Sequence, residues 1–489
     1  MLRSKSLSAT TNVGHIVQKL IFILTCVPVL IGPWFFGSRE LWWFWPFTLC
    51  IFMATVLFGI QQFKRSLQPK STVVSDDDGH GIWLQRQRNV LLLGLPLLAY
   101  ATWWLTQPVV YMLAEISVLL LVTPVLLAAI VIFGMTTEQR RRLFIYIMLN
   151  LFLLGLYGVI NHAITGSRIV LWAPGYEQYM RDHRATGSYF CPNHFSGIME
   201  IATAMGLGVF LTRRVSHLQR AIGLSLIALG CVAVVLSKSR GGGLTLLVIF
   251  AASLYWGFTN WPRRARWWWR AACVAMGGIL VTGMILLADG FIERYEQYVR
   301  PDRLQGLSLK DASADLGRRI EDSSRGRMFA GAYRAWQSAP VKGIGPGMHT
   351  TLWPHFAAET DGDAIAAVWP TRSNHHFWSD ETHSDWLEML EEYGLVGFVL
   401  LLLPVTYLFF VLSRALRQDR TLRWEHKTTG THFPRESMVL GAILAFIAMA
   451  FHSTADFNLQ MPATVWLLSA ILALPIGMMG EKRVRSSRS

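Results

Sequence analysis

Apolar runs about as long as a bilayer is thick recur along this chain, separated by short polar punctuation. A membrane-crossing helix needs roughly 20 mostly apolar residues. Windows of that kind fall at 15–36, 40–62, 89–105, 110–134, 143–163, 193–211, 220–237, 241–258, 271–288, 394–413, 438–455 and 462–479. The pattern predicts an all-α, polytopic integral membrane protein of about 12 spans, with eleven or thirteen left open by boundary shifts. Three regions follow: 1–288 with nine spans and short loops, 289–393 as one large external loop, and 394–489 with three spans and a basic tail.

The polar positions orient the spans. Arg3 and Lys5, Arg140–Arg142, Arg213 and Arg214, Arg263, Arg264 and Arg266, the Arg414–Arg435 stretch and the tail EKRVRSSRS are basic, and they alternate with poorly charged connections. Twelve spans put every one of them on the cytoplasmic side, as the positive-inside rule asks. Both termini are then cytoplasmic and the membrane is the bacterial inner membrane. The opposite, periplasmic face receives turns near 37–39, 106–109 and 238–240, a loop at 164–192, the long segment 289–393 and the turn 456–461. A loop as long as 289–393 is expected to carry function.

Composition agrees with this class. Of 489 residues 52% are hydrophobic and 16% charged, with a mean hydropathy of +0.35. The 20 Trp and 27 Phe suit aromatic belts at the two lipid–water boundaries. The net charge of +14 is spread through short clusters rather than gathered in one patch, so no nucleic acid partner is expected. Cys26, Cys50, Cys231 and Cys273 lie in apolar runs and only Cys191 in an external loop, which excludes a disulfide framework. The first apolar segment lacks a small-residue cleavage site and reads as an uncleaved helix.

The candidate chemistry lies where spans meet the outer face. Arg240 sits in SKSRGGG, on a turn that opens a helix and so favours an anion. In SSRGRMFAGAYRAW, Arg325 shares a helical face with Phe329, Ala332, Tyr333 and Trp336, whereas Arg327 points elsewhere. The glycine-rich VKGIGPG that follows could offer amides to an anion. His383 opens the helix THSDWLEMLEEYG, which Gly394 ends; Asp385, two positions on, would not face it. Asn193 and His194 begin the sixth span, and His452, Asp456 and Asn458 close the eleventh. Metal-ligand spacings are absent among the external histidines and acids, so neither metal nor cofactor is expected.

Fixed guanidinium forks and a titratable imidazole suit a phosphate-bearing substrate that arrives within the bilayer. A lipid diphosphate carrying a sugar fits that description. A transporter or flippase for an anionic lipid-linked substrate would instead place ionisable groups near span midpoints and break helices there. Glu115 is the main residue of that kind.

SRGGGLTLLVIF, the stretch from Arg325 through AYRAWQSAPVKGIGPGMH, and THSDWLEMLEEYGLVG resemble the O-antigen ligase and polymerase superfamily, as do FCPNHFSGIMEI and HSTADFNLQMPA. The resemblance implies a type C glycosyltransferase-like fold and metal-independent, inverting transfer of a glycan from undecaprenyl diphosphate at the periplasmic face, in O-antigen or exopolysaccharide assembly. It assigns Arg240 and Arg325 to the diphosphate and His383 to the acceptor, with Arg327 as the alternative to Arg325. Asn193, His194, Asp385, His452 and Asp456 form a second, substrate-binding tier. The acceptor could be a growing glycan, lipid A-core or protein; the ending HSTADFNLQMP tilts towards a polymerase. Membrane lipids and other polysaccharide-assembly proteins are the further partners implied.

Overall fold

The computed structural model describes residues 2–66, 108–170, 173–177, 183–212, 215–260, 278, 323–357, 379–421 and 433–478. The expected spans at 89–105 and 271–288, apart from residue 278, and most of the external loop lie outside them. Nine described helices are long and apolar enough to cross a membrane, and Pro462–Gly477 is a shorter apolar one. The protein is a multi-pass, all-α membrane protein.

In chain order the helices are α1 (Leu2–Cys26), α2 (Leu41–Ser66), α3 (Tyr111–Ala129), α4 (Thr137–Thr165), α5 (Pro192–Leu211), α6 (His217–Ser237), α7 (Arg240–Asn260), α8 (Ser324–Ser338), α9 (His349–Phe356), α10 (Asp385–Thr421), α11 (Arg435–His452) and α12 (Pro462–Gly477). α1 and α3 each run on into a π-helical turn, at Val27–Ile31 and Ile130–Gly134. One departure from an entirely helical chain occurs among the described residues: β1 (Ile169–Val170) pairs antiparallel with β2 (Ala173–Glu177) in the loop before α5. The fifth expected span, 143–163, also starts earlier than hydropathy indicates. Thr136 caps α4 through a capping box with Gln139, and Arg140 is buried in the first turn, its guanidinium donating to the Val131 carbonyl at 2.8 Å.

α5 is the central helix, with 94% of its apolar window buried. Small residues let its neighbours come close, as lipid-embedded packing requires. A Cβ on Gly206 would lie 2.6 Å from the Gly223 carbonyl of α6, and one on Gly208 would strike the Gly441 backbone of α11. The two ends of the bundle keep distinct company. At one end Gln18 of α1 bonds the Gly134 carbonyl and the side chains of Gln139 and Gln61, and Gly477 of α12 packs on Arg140. At the other end Ser188 donates to the Pro33 carbonyl at 2.7 Å and Phe36 stacks on Phe190 at 4.3 Å. The turns assigned to the external face therefore meet one another.

α10 is two helices joined at Gly394, whose φ of 61° lies in the left-handed region. The kink frees carbonyls that the VKGIGPG turn takes up: Ile344 N–H donates to Glu391 O at 3.0 Å and Gly345 N–H to Glu392 O at 3.0 Å. The amides expected to face an anion are spent on α10 instead. This turn is a brace.

Candidate active site

Asp456 is the centre of the end where Ser188 meets Pro33. It lies in the turn between α11 and α12, 1% exposed, with acceptor positions filled from four elements. Its Oδ2 accepts from Asn193 Nδ2 of α5 at 2.6 Å and from an Arg325 terminal nitrogen of α8 at 3.0 Å. Its Oδ1 accepts the Phe457 amide at 3.0 Å and faces His383 Nδ1 at 3.4 Å, just before α10, and His194 Nε2 at 3.9 Å. Burial pushes this carboxyl up, but the facing His383 and the charge of Arg325 outweigh burial and hold it well below the usual carboxylate range. A buried carboxylate that accepts several hydrogen bonds, one of them from a guanidinium cation, stays ionised.

Local sequence explains how each partner arrives. Pro192 starts α5 at a position where no N–H is needed, and that places Asn193 and His194 in its first turn. Ser323 caps α8 by accepting the Gly326 amide at 3.1 Å, which sets Arg325 in the first turn. The packed stripe of α8 is Met328, Gly331, Ala332 and Ala335, and Arg325 continues it at 26% side-chain exposure. Arg327 is exposed on another face, and Tyr333, expected beside Arg325, is 49% exposed. His383 has φ of 57°, a conformation that non-glycine residues rarely adopt and that clusters at functional sites.

Phe457 holds the imidazoles apart and upright. The His194 and His383 rings meet it edge-on at 4.4 and 4.7 Å, and the Arg39 guanidinium lies 5.3 Å from its centroid. Asp385, two residues from His383, faces away as helical geometry requires. Its Oδ2 accepts the Leu459 amide at 3.0 Å and fixes the turn that carries Asp456.

The remaining expected residues form an adjoining layer. His452, 1% exposed at the end of α11, donates to Glu200 of α5 at 2.8 Å, and Ser196 donates to the same carboxylate at 2.9 Å. Arg240 is the first residue of α7. The glycines after it allow the contact: a Cβ on Gly241 would sit 2.8 Å from His452 Nε2, and one on Gly242 would strike Ser196 Oγ.

Two neighbours of the cluster escaped the sequence reading. Glu200 had a readable signal, an acid inside the apolar run FSGIMEIATAMG. Arg184 had none: it is buried, donates to the Ser237 carbonyl at 2.7 Å and holds the Asn193 Oδ1 at 2.7 Å, which turns the Asn193 amide towards Asp456.

Buried polar atoms without a hydrogen-bond partner in the protein gather at this spot: His194 Nε2, His452 Nε2 and both amide atoms of Asn458. Buried polar groups are ordinarily satisfied, so such a concentration is the mark of a site that a ligand or water completes. Beside it lies a cavity of about 460 Å³ lined by Arg39, Asp380, Glu381, Glu388, Glu392 and Gln460. That cavity shares Ser117, Leu120, Glu392 and Gln460 with an apolar one of about 210 Å³ between α3, α10, α11 and α12. Among the described residues no three His, Cys, Asp or Glu side chains converge as a metal site would need.

Residues 224–402 match the family model described as O-antigen ligase, a stretch that holds Arg240, Arg325, Arg327, His383 and Asp385 and leaves out His194, His452 and Asp456. No curated protein matches the chain. Over residues 224–402, then, this multi-pass membrane protein carries the domain of the O-antigen ligase and polymerase superfamily, whose members are glycan-transferring enzymes.

Proposed function

We propose that the protein is a metal-independent, inverting glycan transferase of the bacterial inner membrane, with both termini cytoplasmic and the Asp456 cluster at the periplasmic face. Its donor is an undecaprenyl-diphosphate-linked glycan and its acceptor the hydroxyl of a second lipid-linked glycan, which makes it a polysaccharide polymerase. The observation that carries this reading is the convergence of Arg325 and His383 on the single buried carboxylate of Asp456, where helices end at one face.

The chemistry balances without further groups. Asp456 faces Nδ1 of His383 at 3.4 Å, so Nδ1 holds the proton and Nε2 is the basic nitrogen presented to the acceptor. The acceptor oxygen gives its proton to Nε2 and bonds to the anomeric carbon from the face opposite the departing phosphate. The carbon–oxygen bond to the diphosphate breaks, and the lipid diphosphate leaves with the electron pair. Arg325, with only one nitrogen engaged by a described residue, and Arg240 neutralise the charge as it develops. A cavity of mixed charged and apolar lining, next to an apolar one, suits a substrate with a glycan head and a polyprenyl tail.

Transport finds less support. Glu115 lies in the second turn of α3 on the exposed side, and the other site groups named here stand at helix ends, with Glu200 two turns into α5. The test is purified protein in nanodiscs given undecaprenyl-linked repeat units alone. Growth into longer chains, with inverted linkages, is expected. Transfer only after lipid A-core or protein is added would replace the polymerase reading, and no transfer to any acceptor would overturn the enzyme reading.

A further inference from the structure

Beyond the Asp456 cluster lies a second histidine–carboxylate network that the proposed reaction does not use. His349, the first residue of α9, is 1% exposed. Its Nδ1 lies 2.8 Å from Glu391 Oε2 of α10, and its Nε2 lies 2.8 Å from Ser379 Oγ. The Ser379 hydroxyl donates its single proton to the Glu381 carbonyl at 2.9 Å. Ser379 Oγ can therefore only accept from Nε2, and the Glu391 carboxylate can only accept from Nδ1. With the Ser379 proton on the Glu381 carbonyl, both ring nitrogens donate, and His349 is an imidazolium.

Two of the partners of His349, Ser379 and Thr382, lie on the segment that carries His383, and Glu391 lies on α10 just beyond it. Thr382 Oγ1 is 3.2 Å from His349 Nδ1 and 3.3 Å from Glu391 Oε2, and the Thr382 amide donates to Glu388 Oε2 at 3.0 Å. His383 follows immediately, in its left-handed conformation. A residue held in that region needs its neighbours fixed on both sides. On the far side the Asp385 amide donates to the Asp456 carbonyl at 3.3 Å. On the near side the fixing comes through Ser379 and Thr382.

We infer that His349 is a positioning residue: as a cation clamped between Glu391 and Ser379, it locks residues 379–382 and so sets His383 at the angle that faces Asp456. The inference rests on the glycan-transferase reading for its rate effect, but not for its charge state.

The surroundings bear on the charge. Glu388, Glu391 and Glu392 face the ring region from α10, and Asp380 and Glu381 from the 379–384 segment, with Glu381 paired to Arg39 of the α1–α2 turn at 2.8 Å. From α8, Arg334 is turned to the far end of α9, on the Phe356 carbonyl. Burial pushes the His349 pKa down, but the Glu391 hydrogen bond and the charges of Glu391, Glu392 and Glu381 outweigh it and raise the group above its ordinary 6.5. A raised imidazole keeps its clamp at all pH values below 6.5 and loses it as pH rises through the raised value.

Two readouts test this. Full-length protein with ring-15N histidine, assigned with H349Q and H383Q, reports the protonation of each ring directly. The expected result is two protonated nitrogens on His349 at neutral pH, together with shifted His383 ring signals in H349Q. One bare nitrogen on His349, or unmoved His383 signals in H349Q, overturns the inference, whether or not the protein transfers glycans. The second readout is the pH–rate profile. Wild type should lose kcat on an alkaline limb; H349Q should lose that limb and about 10²-fold in kcat, with donor KM held within about twofold. E391Q, which keeps the side-chain volume if H349Q fails to fold, should move the limb to lower pH. An alkaline limb that stays in place in both variants overturns the inference.

Discussion

Asp456 and Arg325, 131 residues apart in sequence, meet at 3.0 Å with the carboxylate almost wholly buried. The pair gives the arginine a fixed direction, and the same carboxylate orders His383 and Asn193. Asp456→Asn would keep the shape and remove the charge that these three share. Transfer should fall by about 10²-fold through lost positioning, read as kcat with saturating donor.

The same group gives an acid signature. Its folded pKa is depressed, so the stabilisation it supplies is complete above the unfolded value of 3.8 and is lost as pH falls through the lower folded value. Thermal midpoints taken from about pH 6 downwards should therefore fall for wild type only once pH drops below the ordinary carboxylate range. Asp456→Asn should start lower at neutral pH and lack that part of the acid loss. Parallel curves for the two proteins would contradict the assignment of the charge to Asp456.

Arg325 and Arg327 stand two residues apart on different faces of α8, and only Arg325 continues the buried stripe towards Asp456. Lysine keeps the charge and loses the planar fork. Arg325→Lys should cost about 10²–10³-fold in kcat, the scale of losing one preorganised donor at a developing anion. Arg327→Lys should cost far less. Arg240→Lys should resemble Arg325→Lys, and equal losses at 325 and 327 would return the diphosphate role to the pair as a whole.

Much of this arrangement was legible because bilayer thickness imposes a length on hydropathy. Helix ends on one face followed from the basic loops, and with them the grouping of Arg240, Arg325, His383, Asn193, His194, His452 and Asp456. What joins them was not legible. The partner of His383 is Asp456 rather than its near neighbour Asp385, and only the packing of α10 against the α11–α12 turn brings the two together. Arg184 and Arg39 carry no signal in the sequence, since nothing local marks a cation that will meet Asn193 or Phe457 across the bundle. The VKGIGPG turn was open between an anion nest and plain turn chemistry, and the Gly394 kink, which claims the Ile344 and Gly345 amides, decides for the latter.

Gly242 tests the close approach of α7 to α5. A methyl group there would strike Ser196 Oγ and lie 3.0 Å from Glu200 Oε1, both fixed in the buried helix. Overpacking of this kind costs typically about 1–3 kcal/mol. Gly242→Ala should lower the thermal midpoint and pull Arg240 off its register, with a larger loss in activity than Ser196→Ala, which removes the obstacle. The double variant Ser196→Ala/Gly242→Ala should recover part of the stability; no recovery would mean that the clash is not the cause.

Glu200 and His452 bind α5 to α11 through a pair at 2.8 Å, both side chains fully buried. Removing one partner of a buried pair leaves the other desolvated and uncompensated, at about 3–5 kcal/mol. Glu200→Ala should therefore cost more than Glu200→Gln, whose amide oxygen can still accept from His452 and Ser196. His452→Gln should also be tolerated better than His452→Ala, because its amide can donate to Glu200. If the pair serves only to hold α5, α7 and α11 together, kcat in each variant should track the folded fraction at every temperature. A kcat that stays low in Glu200→Gln while the fold is intact would place Glu200 in the chemistry, through the His452 ring against which Gly241 packs beside Arg240.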